Sequence, residues 1–134
     1  MLKPIFNFDD CVFINLQYGE TKNEINNFYK KTNIKIINID DVDLLNDFES
    51  IGSLLKNLDL FISVSNSTAH LAGALGVPTW VIKPKEHAVF HYWNQPSSTT
   101  PWYKSIKLFN YQNNWENTVL DIKKNLIDFF ISNS

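Results

Sequence analysis

The sequence predicts an α/β protein: a three-layer αβα arrangement around a parallel sheet of about five strands, in one domain over residues 1–134. Three observations lead there. Short β-rich apolar runs alternate along the chain with segments of helical period, the pattern of a parallel sheet covered by helices on both faces. The strands read as near-continuous apolar stretches rather than alternating ones, which suits burial on two faces. Residues 59–82, DLFISVSNSTAHLAGALGVPTWVI, spell a complete strand, polar turn, short helix, turn and strand. Crossovers of that kind are right-handed.

The elements follow in order. Residues 1–10 read as an irregular lead-in, and residues 11–16, CVFINL, as the first strand. Gln17-Tyr18-Gly19-Glu20 is the loop after it. Thr21 and Glu24 have the spacing of a capping box, in which two side chains satisfy two free N–H groups at a helix start. Ile25, Phe28 and Tyr29 give that helix its apolar stripe. Residues 34–39 are the second strand, followed by the acidic loop Asp40-Asp41-Val42-Asp43. Asn46 and Glu49 have the spacing of another box, ahead of a helix with Ile51, Leu54, Leu55 and Leu58 on one face. Residues 60–64 are the third strand, and Ala69, Leu71, Ala72, Ala74 and Leu75 belong to the short helix beyond the turn. Gly76 sits where a helix-ending glycine belongs, and Pro78 prevents continuation. Thr79-Trp80-Val81-Ile82 is the fourth strand. Residues 83–105 have no sustained period, but Phe90, Tyr92, Trp93, Trp102 and Tyr103 argue against simple disorder and for a functional loop. Residues 106–109 are the fifth strand, and Asn114 caps a last helix with Trp115, Val119, Ile122, Leu126 and Phe129 at alternating spacings of four and three.

Composition excludes several classes of function. Hydrophobic residues make up 44% and charged residues 19%, a globular balance. The net charge of −2 supplies no basic face for nucleic acid. The one cysteine, Cys11, lies in an apolar run and has no partner for an intrachain disulfide, so a buried thiol is expected. No apolar stretch is long enough to span a membrane, and MLKPIFNFDD lacks the apolar core of a signal peptide. A cytoplasmic location is the expectation. The three histidines are not at metal-ligand spacing with Cys11 or a carboxylate pair, so no metal and no cofactor are expected.

The chemistry points to the turn Ser65-Asn66-Ser67-Thr68. A helix start leaves N–H groups unpaired and carries partial positive charge, so a strand feeding one is an anion site, typically for phosphate. The same residue types also serve as simple helix caps. In an open parallel sheet, ligands bind outside the carboxyl ends of the strands, where the loops 17–22, 40–46 and 65–70 would meet and where loop 83–105 also starts.

SVSNSTAHLAGALGVPTWV resembles the donor-site signature of family 9 glycosyltransferases, the heptosyltransferase-like group, and is most similar to the members found behind tetratricopeptide repeats. The usual form there is Val-Asp-Thr-x-x-Ala-His-Leu-Ala-Gly-Ala-Leu-Gly, then a Pro and an apolar strand. This chain agrees at Val64, at Ala69-His70-Leu71-Ala72-Gly73-Ala74-Leu75-Gly76 and at Pro78. It departs at Ser65, where many members carry Asp. FINLQYGE resembles the family's Leu-Gln-Tyr-Gly segment, and PWYKSIKLFNYQNNW its Pro-Trp-Tyr…Leu-Phe…Trp pattern. The resemblance implies the Rossmann-like, C-terminal half of a GT-B fold, which binds a nucleotide-diphospho-sugar and works without a metal. The preceding half, which binds the acceptor and usually supplies the catalytic base, would be a separate or missing partner, and no catalytic residue is assigned here.

Under that resemblance Asn66, Ser67 and Thr68 would hold the diphosphate, with His70 in the first helical turn touching it. Gln17 and Tyr18 would contact the nucleotide or phosphates, and Lys22 stands in a loop where members often carry a basic residue. Asp41, or Asp40, would bind ribose hydroxyls, as an acid after a second strand does in dinucleotide folds. Lys83, with Lys85, His87 and His91, would neutralise diphosphate or pair with surface carboxylates. Trp93, Trp102 and Tyr103 would stack on a base or sugar, or pack the loop onto the domain. Asp41-Val42-Asp43 spells the Asp-x-Asp metal motif of the other glycosyltransferase class, but its surroundings follow the GT-B pattern. The competing readings are an inactive binding or interaction module derived from the donor half, and a nucleotide-sugar epimerase of the same fold, whose catalytic acids the chain does not show.

Overall fold

The computed structural model describes residues 3–84 and 91–133. Within them lie four α-helices: α1 (Lys22–Thr32), α2 (Phe48–Lys56), α3 (Ser67–Ala74) and α4 (Trp115–Asn133). The strands are β1 (Phe13–Asn15), β2 (Ile36–Asn38), β3 (Phe61–Val64), β4 (Thr79–Lys83) and β5 (Ile106–Asn110). One turn of 3-10 helix, Lys3–Phe6, occupies part of the expected irregular lead-in. Every strand pairing is parallel, so the class is α/β as predicted, compatible with a Rossmann-like αβα fold.

The strands are hydrogen-bonded as two sheets, β1-β2 and β3-β4-β5, rather than as the single sheet of about five expected. The chain divides into two compact units: Met1–Phe48 with Val119–Ser134, and Glu49–Thr118. In the first unit the apolar runs overstate the strands. β1 and β2 pair over three residues, Phe13 opposite Ile36 to Asn15 opposite Asn38, and Val12 just before β1 is 73% exposed. At the end of the ladder the Asn15 side chain ties the elements together: Nδ2 donates to Thr21 Oγ1 at 2.9 Å and to Asn38 Oδ1 at 3.0 Å. The expected capping box is not formed: Thr21 stands at the N-cap of α1 but has a helical backbone, φ −100° and ψ −11°, and makes no cap bond with its side chain. Asn46 is not at the cap position of α2: it stands two residues before Phe48, and its Nδ2 donates to Asp43 at 2.9 Å. Cys11 is half-buried, not buried. The unit packs around Ile5, Ile122 and Leu126, with the ring of Phe6 set edge-on against Phe13 and Phe28.

The second unit holds the better-formed sheet. Phe61 pairs with Thr79, and Thr79 with Ile106, so β4 is central and its Thr79, Trp80 and Val81 are all buried. Of the apolar positions read from spacing, Ile51 and Leu55 on α2 and Ala69 and Ala72 on α3 are buried, Leu54, Leu58, Leu71 and Leu75 are half-buried, and Ala74 is exposed. Burying one such Leu or Ile contributes about 1.5–3 kcal/mol. α3 ends as the sequence requires. Gly76 takes φ +69°, its N–H donates to Gly73 O at 3.1 Å, and Val77 N–H reaches back to Ala72 O at 3.0 Å. That is the glycine-dependent close in which the last carbonyls find donors.

Gly73 serves a different purpose. A Cβ there would lie 2.6 Å from Cγ of Tyr103 and 2.8 Å from Cδ1 of Ile106. Gly73→Ala therefore overpacks the contact and is expected to cost about 1–3 kcal/mol. Urea denaturation of the variant beside the parent checks this; an unchanged midpoint would show that Tyr103 does not rest on α3.

Candidate functional site

The site grows from the carboxyl end of β3. Val64 is the last strand residue, and Asn66 is the N-cap of α3 with extended φ −155° and ψ 175°. Its Oδ1 accepts from Ala69 N–H at 2.8 Å, and its carbonyl accepts from His70 N–H at 3.4 Å. Asn66 Nδ2 donates to Ser63 Oγ at 3.0 Å, which holds the cap in place. Of the two uses left open for the turn, Asn66 takes capping. The N–H groups of Ser67 and Thr68 remain, heading the helix with no acceptor among the described residues. They sit at the positive end of the α3 dipole.

His70 lies one turn in, walled by three aromatic side chains. Its ring centroid is 4.6 Å from Trp93, 4.9 Å from Tyr92 and 5.7 Å from Tyr103. Nδ1 is 3.0 Å from the Tyr103 hydroxyl. Burial pushes the imidazole below its ordinary pKa, so the neutral ring is the form the fold favours. The sign for stability follows. As pH falls below the unfolded-state value of about 6.5, the unfolded chain takes up the proton first, and stability falls with it. Melting temperatures between pH 7.5 and 5 should drop more for the parent than for His70→Gln; equal slopes would dissociate the effect from His70.

Trp93 is fully buried and belongs to the core cluster with Ala69, Val81, Ile106 and Leu108. Its Nε1–H donates to Ser65 Oγ at 2.9 Å. Lys83, at the end of β4, donates through Nζ to the carbonyls of Trp93 and Gln95 at 3.1 and 3.0 Å. Burial holds its ammonium below the ordinary lysine value. Thr100 Oγ1 donates to Tyr92 O at 2.8 Å. The loop over residues 91–103 is thus pinned onto the carboxyl ends of β3 and β4. Of the two roles open for its aromatics, Trp93 and Tyr103 take packing, while Trp102 is 55% exposed. His91 is exposed, with its ring 4.0 Å from Tyr92. Lys85 and His87 lie outside the described residues.

The structure brings Asn66, Ser67, Thr68 and His70 together on the first turn of α3, with Lys83 in the same unit. The other candidates belong to the first unit. Gln17 and Tyr18 are exposed, and Gln17 N–H donates to Asn15 Oδ1 at 3.1 Å. Lys22 opens α1 and pairs with Asp40 at 2.9 Å, a hydrogen bond that raises its ammonium pKa. Asp41 is exposed in the loop, and Asp43 accepts from the Asn46 side chain and from the N–H groups of Leu45 and Asn46, which lowers its pKa. Among the described residues no group of three His, Cys, Asp or Glu side chains could hold a metal ion. The sequence reading missed Asn15, which ties the two strand ends to the start of α1, and Ser65 as the acceptor for Trp93. No sequence signal marks the second: a buried indole N–H needs a partner, but that Trp93 is buried beside Ser65 is decided by the fold.

β3, α3 and β4 form a parallel β-α-β unit whose helix start is capped by Asn66 and keeps two N–H groups unclaimed, at Ser67 and Thr68. No protein-family model matches the chain. No solved structure matches it. Protein FlbA of Caulobacter vibrioides is similar, with 30% identity over 133 residues, 97% of this chain and 22% of FlbA. The chain therefore spans less than a quarter of that relative's length. Among the described residues no helix is long and apolar enough to cross a membrane.

Proposed function

We propose that this chain is the donor-binding domain of a glycosyltransferase of the heptosyltransferase-like kind, with the diphosphate of a nucleotide-diphospho-sugar held at the start of α3. The observation that carries the reading is the pair of unclaimed N–H groups at Ser67 and Thr68, beyond the carboxyl end of a parallel strand. The signature resemblance over residues 64–78 adds to it. In sugar transfer, negative charge grows on the departing diphosphate, and donors already oriented by the helix stabilise that charge without reorganising. His70 adds a neutral imidazole beside them, so the turn offers hydrogen bonds rather than full charges. The acceptor-binding half and the catalytic base belong to a partner domain in this reading, and the setting is the cytoplasm, where nucleotide sugars are supplied.

One observation favours a second reading, an inactive module derived from the same half. Ser65 stands where the family's carboxylate is usual, and its hydroxyl is occupied by Trp93. A thermal-shift screen with UDP, GDP, ADP, CMP and their sugar conjugates separates the two. A ligand at one hundred times its dissociation constant adds about 2.7 kcal/mol, which corresponds to a rise of a few degrees for a domain of this size. A rise selective for one base supports the donor site and names the base. No rise with any nucleotide would overturn it in favour of the module.

A further inference from the structure

We infer that Tyr103 is a positioning residue for His70: its hydroxyl donates to Nδ1 and holds the imidazole in the tautomer whose Nε2 carries the proton. The inference deepens the donor-site reading and rests on it for the identity of the anion. The hydroxyl and Nδ1 are 3.0 Å apart. A neutral imidazole has one donor and one acceptor nitrogen, and a phenol is the stronger donor of such a pair, so Nδ1 is the acceptor and Nε2 the N–H. Nε2–H has no acceptor among the described residues. It is available to an anion on the first turn of α3.

The arrangement is built in from both sides. Trp93 lies on the imidazole at an interplanar angle of 34°, and Tyr92 meets it at 80°, so the ring cannot rotate freely. Tyr103 is seated by Gly73, where a methyl group would collide with its ring. Its carbonyl accepts from Ile106 N–H at 3.2 Å, at the start of β5. The glycine at the seventh residue of α3 therefore sets the tyrosine, the tyrosine sets the histidine, and the histidine presents a donor. Tyr103 itself touches no ligand in this scheme.

The test combines the tautomer with binding. Long-range proton–nitrogen spectra of histidine-labelled protein should show the Nε2–H form at His70, and Tyr103→Phe should convert it to a mixture. Titration with inorganic pyrophosphate should be weakened about fivefold by Tyr103→Phe, the loss of one neutral hydrogen bond. In a His70→Gln background, where the amide replaces Nε2–H and has no tautomer to lose, Tyr103→Phe should leave the affinity unchanged. An Nδ1–H tautomer in the parent, an unaltered tautomer in Tyr103→Phe, or an equal loss in the His70→Gln background would each overturn the role given to Tyr103. If the parent binds no pyrophosphate, the donor-site reading falls, and the spectra alone decide whether Tyr103 sets the tautomer.

Discussion

Trp93→Ala is expected to lower the unfolding free energy by about 3–5 kcal/mol, the cost of emptying a fully buried aromatic site. Trp93 has no exposed surface and sits among Ala69, Val81, Ile106 and Leu108, so removing it opens a cavity under α3 and beside β4. The substitution also strands Ser65 Oγ, which loses its donor, and loosens the segment whose carbonyls hold Lys83. Trp93→Phe restores most of the packing but not the N–H, and is expected to lose only about 0.5–1.5 kcal/mol from the missing hydrogen bond, plus the volume difference. Urea denaturation measures both. A loss below about 1 kcal/mol for Trp93→Ala, the mean for an ordinary point mutation, would mean that residues 91–103 lie outside the cooperative core.

Ser67→Pro is expected to weaken binding of a diphosphate ligand by tenfold or more while leaving the fold intact. Ser67 is the first residue of α3, where the N–H has no place in the helical ladder and proline is tolerated. The residue before a proline must be extended, and Asn66 already is, at φ −155° and ψ 175°. The substitution therefore removes the backbone donor together with the Ser67 hydroxyl, and Ser67→Ala, which deletes the hydroxyl and keeps the N–H, separates the two. A hydrogen bond to a charged group is worth about 1.5–3 kcal/mol, hence the tenfold floor. Calorimetric titration with the nucleotide found by thermal shift, alongside the melting temperature of the unliganded variant, makes the comparison. Unchanged affinity in a folded variant would remove the Ser67 N–H from the site. Thr68→Val, which deletes a hydroxyl and keeps the N–H, separates side-chain from backbone donation in the same assay.

The features readable from sequence were those whose physics is local. The β-α-β run of residues 59–82 contains its own instructions: an apolar strand, a turn of residue types that cap helices, a helix of small residues, a glycine at its end and a proline behind it. Each was found in place, with Gly76 at +69° and Asn66 capping Ala69. The last helix followed its spacing in the middle, where Val119, Ile122 and Leu126 are buried, but not at its ends, where Trp115 is exposed and Phe129 half-buried. The class of the fold follows from such segments, because parallel pairing is the simplest way to bury alternating strands and helices.

What failed were inferences that treated a side chain's local option as its only one. Thr21 and Glu24 have capping-box spacing, but Thr21 has a helical backbone at the cap, and its hydroxyl accepts from Asn15, six residues earlier. Asn46 has box spacing to Glu49, but α2 begins only at Phe48, so Asn46 lies ahead of the cap and its amide bonds Asp43. Longer-range partners settled the aromatic loop. Nothing in the order of residues 91–103 says that Trp93 would be buried against Val81 and bonded to Ser65, or that Tyr103 would reach His70 thirty-three positions back. Those pairings are made by the ends of β3, β4 and β5 lying side by side, a consequence of parallel register rather than of spacing along the chain. The chain's own order thus dictated where helices start and stop and which turn offers free N–H groups. Tertiary packing decided which polar side chains were still free once the strands had come together, because each donor and acceptor is used by whichever partner the fold brings nearest.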